Sequence, residues 1–204
     1  MIKLAARAGI IGPILFGVVL VTLTILEYDF MLSLGWRPLE PLDWPSGLVL
    51  GPYGWVMTLT FLISGFMMTF FAYGLRLSLP RSRWTSLSTW LLSIAGLAMI
   101  GLTSTTDPTI RSTPHTWHGL LHDGFFVVLG LTFMPAMILL GFAFRIDPHW
   151  EKLATYTWAT VALAVPTFWL KGLAFYAFLL AALIWCEVIA FRLKSVANYI
   201  VPHS

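Results

Sequence analysis

Long apolar stretches alternate with short polar connections along this chain. A helix that crosses a membrane needs about 20 mainly apolar residues. Six segments fit that length, with approximate bounds 9–31, 53–77, 84–103, 114–144, 153–170 and 172–191. These segments are apolar on every face, as expected for helices surrounded by lipid or by other helices. The pattern predicts an all-α fold, an integral membrane six-helix bundle that forms one transmembrane domain over residues 1–204.

The connection between the last two predicted segments is very short. Only Lys171 and Gly172 lie there, and Pro166 and Gly172 both favour a turn. We therefore predict a tight hairpin of two helices. One long helix without a turn is the alternative.

Small and hydroxyl residues are the usual contact residues between helices in a membrane, where packing must be close because lipid tails are themselves apolar. The third segment carries a set of them. The candidates are Ser86, Ser88, Thr89, Ser93 and Gly96.

The composition narrows the class of protein further. Apolar residues make up 58% and charged residues 10% of the chain, whereas a soluble domain carries about 25% charged residues. No basic run with interleaved aromatic residues is present, so we expect no nucleic-acid partner. The single cysteine, Cys186, excludes an internal disulfide and a thiolate metal cluster. The first apolar stretch is too long for a signal peptide, so we expect a retained helix.

Lysine and arginine residues are distributed unequally between the two sides of the predicted bundle. One side carries Lys3, Arg7, Arg76, Arg81, Arg83, Arg145, Lys152, Arg192 and Lys194. The other side carries only Arg37, Arg111 and Lys171. Because cytoplasmic loops are enriched in positive charge, we expect both termini to lie in the cytoplasm.

A group of histidines marks the start of the fourth segment, at the outer end of the predicted bundle. Thr113 followed by Pro114 is a typical helix start, with a hydroxyl cap and then proline. From that start, His115, His118 and His122 would lie at positions i, i+3 and i+7, on one side of the helix. The spacing therefore predicts a stripe of three imidazoles.

Acidic residues are predicted at the same outer end. They are Glu27, Asp29, Glu40, Asp43, Asp107 and Asp123. Ionisable groups near a bilayer are costly unless they are paired or hydrated, so these carboxylates are candidate functional groups. Imidazoles beside carboxylates suit a divalent metal such as zinc, and they also suit proton transfer near neutral pH.

Three interpretations of this outer cluster remain open. In the first, it is a structural network, for example with Glu27 or Asp29 paired to Arg37 or Arg111. In the second, the three histidines bind a metal and Asp107 or Asp123 is the catalytic group. In the third, the cluster lines a pocket for a ligand or pigment.

One carboxylate lies well within a predicted helix. Glu187 belongs to the last segment. We expect its side chain to pair with Arg192 or to extend toward the interface. A role in an ion pathway is the alternative.

Short motifs relate the chain to a known family. They are the Ser-Gly-Leu-x-x-Gly-Pro-Tyr-Gly-Trp stretch from Ser46 to Trp55, then Gly101 with Asp107-Pro108, then Thr116-x-x-Gly119-x-x-His122. In these motifs the chain resembles the prokaryotic integral membrane family called domain of unknown function 998. The resemblance covers most of the chain, implies a six-helix bundle and singles out Asp107 and His122. It brings no established reaction.

The chain has no nucleophile elbow, P-loop or dinucleotide fingerprint. We therefore expect a non-enzymatic polytopic protein of the prokaryotic inner membrane, an accessory or structural subunit of a membrane complex. Its partners would be the lipid bilayer and other membrane subunits. The alternative is a metal-dependent membrane enzyme that acts on a lipid-like substrate at the outer face through the His/Asp cluster.

Overall fold

A computed structural model describes residues 1–35, 45–108, 115–169 and 173–200. All regular structure within these ranges is helical. The α-helices are α1 (Ile2–Leu26), α2 (Tyr28–Ser33), α3 (Gly54–Ser78), α4 (Arg83–Gly101), α5 (Trp117–Phe144), α6 (Glu151–Trp169) and α7 (Leu173–Ile200). A 3-10 helix (Pro45–Leu50) precedes α3. The all-α prediction is confirmed for this part of the chain.

Five of the described helices are long and apolar enough to cross a membrane. They are α1, α3, α4, α5 and residues Ala174–Asn198 of α7. The helix α6 is not among them, because it begins with Glu151 and Lys152 and carries several hydroxyl and aromatic residues. A protein with five such helices belongs in a membrane, whereas the sixth crossing remains a prediction.

The six long helices pack in a closed ring. In order around the ring, α1 contacts α3, α3 contacts α4, α4 contacts α5, α5 contacts α6, α6 contacts α7, and α7 contacts α1. Long helices that are consecutive in the chain are therefore neighbours, as in a bundle with short connections. The helix α3 also contacts α7 across the ring, and the 3-10 helix packs against α1 and α3.

The contact between α6 and α7 decides between a hairpin and one straight helix. The Trp185 indole N–H donates a buried hydrogen bond to the Thr157 hydroxyl, 3.0 Å away. In one straight helix these two residues would be about 42 Å apart. The chain therefore folds back between them, which favours the hairpin. The expected turn at Lys171 and Gly172 lies outside the described residues.

The first predicted segment differs from the structure at both ends. The helix α1 begins at Ile2, well before the expected start at Gly9, and ends at Leu26. Glu27 then separates α1 from the short helix α2. Hydropathy locates only the apolar part of a helix, so it misses the polar first turns. It also misses a break that depends on contacts with another part of the chain.

Close packing of α3 against α4 depends on two glycines. A Cβ atom on Gly96 would lie 2.8 Å from the backbone oxygen of Gly65, and a Cβ on Gly65 would lie 2.6 Å from the oxygen of Gly96. Neither distance leaves room for a carbon atom. Ser88 and Thr89 of α4 are also buried. The prediction that small residues of this segment form helix contacts is confirmed for Gly96, whereas Ser86, another of the predicted contact residues, is exposed.

Replacing Gly96 by alanine is expected to destabilise the bundle by about 1–3 kcal/mol, because the new methyl group would push α4 away from the α3 backbone. Gly124 is the matched control, since a Cβ there meets no atom within 4 Å. Thermal unfolding in detergent, followed by circular dichroism, compares the two. Equal melting temperatures for Gly96→Ala and Gly124→Ala would contradict the close contact.

Candidate functional site

Asp107 lies in the loop between α4 and α5, and its carboxylate is hydrogen-bonded to Thr116 at the start of α5. It is buried, with 7% of its surface exposed. The Thr116 hydroxyl donates a hydrogen bond to Asp107 Oδ1, and the Thr116 backbone N–H donates to Oδ2 at 3.1 Å. His115 Nδ1 lies 3.6 Å from Oδ2. The Thr116 hydroxyl, followed by its amide and His115, holds the pKa of Asp107 below its ordinary value, although burial acts in the opposite direction.

Thr116 also starts α5. Its side-chain oxygen accepts a hydrogen bond from the Gly119 backbone N–H at 3.1 Å, which makes Thr116 the N-cap of the helix. A Cβ on Gly119 would overlap the Asp107 carboxylate. Glycine is therefore required for the carboxylate to approach the first turn. The Thr-x-x-Gly spacing of the sequence motif thus has a direct structural role.

The observed start of α5 differs from the one on which the expected stripe of three histidines was based. The expected start at Pro114 is wrong, because His115 is not helical and α5 begins at Trp117. Thr113 and Pro114 themselves lie outside the described residues. His118 and His122 are on the helix, whereas His115 lies before it, beside Asp107. The N-cap of α5 is Thr116, whose hydroxyl accepts from the Gly119 N–H and also donates to Asp107.

His118 and His122 are held in the same way, through Nδ1. His122 Nδ1 lies 2.7 Å from the Ser104 carbonyl oxygen, and His118 Nδ1 lies 3.0 Å from the Thr105 carbonyl oxygen. A carbonyl oxygen can only accept a hydrogen bond, so Nδ1 carries the proton in both rings. In each neutral imidazole the other nitrogen, Nε2, then carries an unshared electron pair.

His122 is the buried member of this pair, with 2% of its surface exposed. Its Nε2 is buried and has no hydrogen-bond partner among the described residues. A buried polar atom left without a partner costs roughly 1–3 kcal/mol. His122 Nε2 is therefore the atom of this site that is best suited to bind something else.

An apolar cavity of about 130 Å³ lies within the ring of helices. Phe126, Leu129 and Phe133 of α5 line it together with side chains such as Phe61 of α3 and Leu183 of α7. The 3-10 helix contributes to its wall as well. Because residues four apart share a helix face, His122 continues the α5 face that carries Phe126. His122 itself is not among the residues that line the cavity.

Glu27 is a second buried carboxylate, with 1% of its surface exposed. The Tyr53 backbone N–H donates to Glu27 Oε1 at 2.6 Å. Its Oε2 is buried and has no hydrogen-bond partner in the described part of the chain. A Cβ on Gly51 would overlap this carboxyl group. Glu27 thus joins the break after α1 to the start of α3, and the proposed partner Arg37 lies outside the described residues.

The other acidic candidates divide into two groups. Asp29 on α2 and Asp123 on α5 are exposed. Glu40, Asp43 and Arg111 lie outside the described residues. The structure therefore brings Asp107 beside His115 directly, and beside His118 through the Thr116 hydroxyl, which lies 2.9 Å from His118 Nδ1.

The predicted pair between Glu187 and Arg192 is wrong. The Arg192 guanidinium donates to the His149 carbonyl oxygen, with Nε at 2.6 Å. Both Glu187 carboxylate oxygens are buried without a hydrogen-bond partner among the described residues. The Arg192 side chain instead binds the carbonyl of His149, in the connection between α5 and α6. Sequence spacing alone does not show this alternative partner.

In the described part of the chain, no group of three or more His, Cys, Asp or Glu side chains is arranged to hold a metal ion. Residues 109–114, which precede His115, lie outside that part. The prediction that His115, His118 and His122 bind a metal therefore stays a prediction.

Asp107 predicts a specific dependence of stability on pH. Because the folded protein lowers the pKa of Asp107, the ionised carboxylate stabilises the fold above its ordinary pKa, and that stability is lost as the pH falls through the folded value. We expect Asp107→Asn to melt at a lower temperature than the wild type at neutral pH, and the difference to shrink in acid. Exposed Asp29→Asn is the control. A difference that does not change with pH would contradict this role.

Comparison with known proteins places the chain in a family. A model of the family described as "Protein of unknown function (DUF998)" matches residues 10–193 of the 204-residue chain. The match includes all the motif residues from Ser46 to His122. Neither the comparison with curated proteins nor the comparison with solved structures gives a match. The chain is a member of the DUF998 family.

Proposed function

We propose that this protein binds an amphiphile inside its ring of helices, with the apolar part in the cavity and a polar group at His122. Two observations support the proposal: an apolar cavity lined in part by Phe126, and a buried, unpartnered imidazole nitrogen on His122, about one helical turn earlier in α5. Ligand pockets commonly combine apolar walls with a few polar groups that fix orientation. An apolar cavity of about 150 Å³ accepts a benzene-sized molecule, so this one suits part of a hydrocarbon tail.

The energy of the cavity supports a ligand of this kind. A hydrocarbon tail in the cavity would gain dispersion contacts with its apolar walls. A hydroxyl or amide group on the ligand could donate to His122 Nε2, which has the unshared electron pair. Both parts of the site then gain from the same molecule.

We further propose six membrane crossings, with both termini in the cytoplasm of a prokaryotic cell and the His122 end facing outward. The ring arrangement supports a sixth crossing by α6, since α6 joins α5 to α7. The excess of lysine and arginine at the opposite end supports the orientation.

Side-specific labelling tests the orientation. Thr105 and Pro148 are exposed at opposite ends of α5, and Cys186 can be replaced by alanine to remove the native thiol. We expect a membrane-impermeant maleimide to label Thr105→Cys, but not Pro148→Cys, in right-side-out vesicles. Labelling of both positions, or of Pro148→Cys alone, would reject the proposed orientation.

A metal-dependent enzyme acting on a lipid-like substrate remains a second candidate. Its support is the anchoring of His118 and His122, since metal-binding histidines usually donate their other ring N–H to a carbonyl or carboxylate. His115, His118 and His122 would be ligands, and Asp107 or Asp123 the ligand or base. Metal analysis of the purified protein tests this candidate. The absence of zinc or another divalent metal in stoichiometric amount would contradict it.

An accessory or structural role in a membrane complex is compatible with ligand binding. The long lipid-facing helices offer surfaces for other membrane subunits, such as the exposed side of α1. Purification in a mild detergent should then recover the protein with defined partners. Recovery as a stable monomer that retains its ligand would count against a subunit role and leave the binding role intact.

Filling the cavity should abolish ligand binding. We expect Leu129→Trp to lose co-purifying amphiphiles at least tenfold, because the larger ring would occupy the space lined by Leu129. Leu131→Trp is the matched control, since Leu131 is 69% exposed on the same helix. Mass spectrometry of extracted ligands makes the comparison. The proposal fails if wild type and both variants carry the same ligands in the same amounts.

A further inference from the structure

A strip of aromatic side chains crosses three helices at the end of the bundle opposite His122. Trp84 of α4 stacks on Phe142 of α5, with ring centres 5.2 Å apart. Phe142 in turn meets Trp158 of α6 edge to face, at 5.1 Å. Arg83 lies over the Trp84 ring at 4.5 Å, and Arg145 lies 5.8 Å from the Trp158 ring. We call these five residues the arginine–aromatic strip.

The strip is held in place by contacts within the protein. The Trp158 indole N–H donates to the Ile138 carbonyl oxygen at 3.1 Å. A Cβ on Gly141 would overlap the Trp158 ring, so this glycine lets the indole lie against α5. Because the rings are fixed before any ligand arrives, little conformational entropy is lost on binding.

The two arginines of the strip are exposed, and neither guanidinium has a carboxylate within salt-bridge distance in the described part of the chain. The nearby Asp147 carboxylate instead accepts from the His149 backbone N–H at 2.8 Å and contacts its ring at 3.0 Å. Within the described ranges, the strip therefore presents two positive charges that form no salt bridge.

We propose that the arginine–aromatic strip binds the headgroup phosphate of an anionic phospholipid. Arg83 begins α4 and Arg145 follows the last residue of α5, so both guanidiniums lie where membrane-spanning helices meet the interface. A planar guanidinium binds phosphate oxygens through paired hydrogen bonds. Phe142, 40% exposed between the two tryptophans, gives the acyl chains an apolar surface.

The aromatic part of the strip distinguishes a lipid from a soluble anion. Free phosphate would gain from the guanidiniums but not from the apolar faces of the rings. Tryptophan is enriched at the level of the headgroups because it has an apolar body and a polar N–H. Two unpaired positive charges favour a lipid with net negative charge over a zwitterionic one. This inference does not depend on the proposed cavity ligand.

Lipid competition tests the proposal on the full-length protein. Protein in detergent is mixed with phosphatidylglycerol and phosphatidylcholine of identical chains, and retained lipid is measured by native mass spectrometry. We expect the wild type to prefer phosphatidylglycerol. The double variant with Arg83→Gln and Arg145→Gln should lower that preference about tenfold for each guanidinium–phosphate pair that is removed. Arg76→Gln is the control, since Arg76 lies 5.6 Å from Trp90, outside the strip.

Further measurements separate the remaining explanations. Phe142→Leu keeps both charges and removes the central ring, so it should weaken retention several-fold while the fold, checked by circular dichroism, is kept. Equal loss in Arg76→Gln would overturn the proposal, because it would show a general charge effect. Full retention by the double arginine variant would overturn it too. If inorganic phosphate displaced phosphatidylglycerol and stabilised the protein as much as the lipid does, the site would be assigned to a soluble anion.

Discussion

The absence of water in the hydrocarbon core of a membrane is the constraint from which this structure follows. Every backbone N–H and C=O there must find a partner inside the protein, and a helix provides those partners within one segment. The apolar segments therefore become helices, and the ring brings α1 back against α7. Several hydroxyl groups follow the same rule: those of Thr60, Thr69 and Thr89 donate to carbonyl oxygens in their own helices. Buried polar atoms that have no hydrogen-bond partner are exceptions to this rule and are therefore informative.

Some of the buried polar atoms without a hydrogen-bond partner belong to ionisable side chains. His122 Nε2 and one oxygen of Glu27 remain buried without a hydrogen bond within the described residues, as do both oxygens of Glu187. His122 lies about one helical turn from Phe126, which lines an apolar cavity, and the proposed amphiphile would use both. At the other end of the bundle, Arg83 and Arg145 present charges beside fixed aromatic rings. The two ends thus suit different ligands: one inside the ring and one on its lipid-facing surface.

The sequence predicted the class and most of the helices, because apolar length alone decides which segments suit a membrane. It also predicted Asp107 and His122 as prominent residues, and both are buried. It did not predict the break at Glu27, where the carboxylate accepts a hydrogen bond from Tyr53 across the fold. It also missed the start of α5 at Trp117, because Thr113 and Pro114 match the usual pattern of a helix start and favoured an earlier position. The cavity could not be predicted at all, since it arises from how side chains of several helices meet.

Cryo-electron microscopy of the protein in a lipid nanodisc tests the central claim most directly. The proposed function predicts elongated density inside the ring, bounded by Leu129 and Phe133 and ending within hydrogen-bond distance of His122 Nε2. Metal density at the histidines without a tail would favour the enzyme candidate instead. Side chains packed across the ring, with His122 bonded to another residue of the protein, would contradict ligand binding.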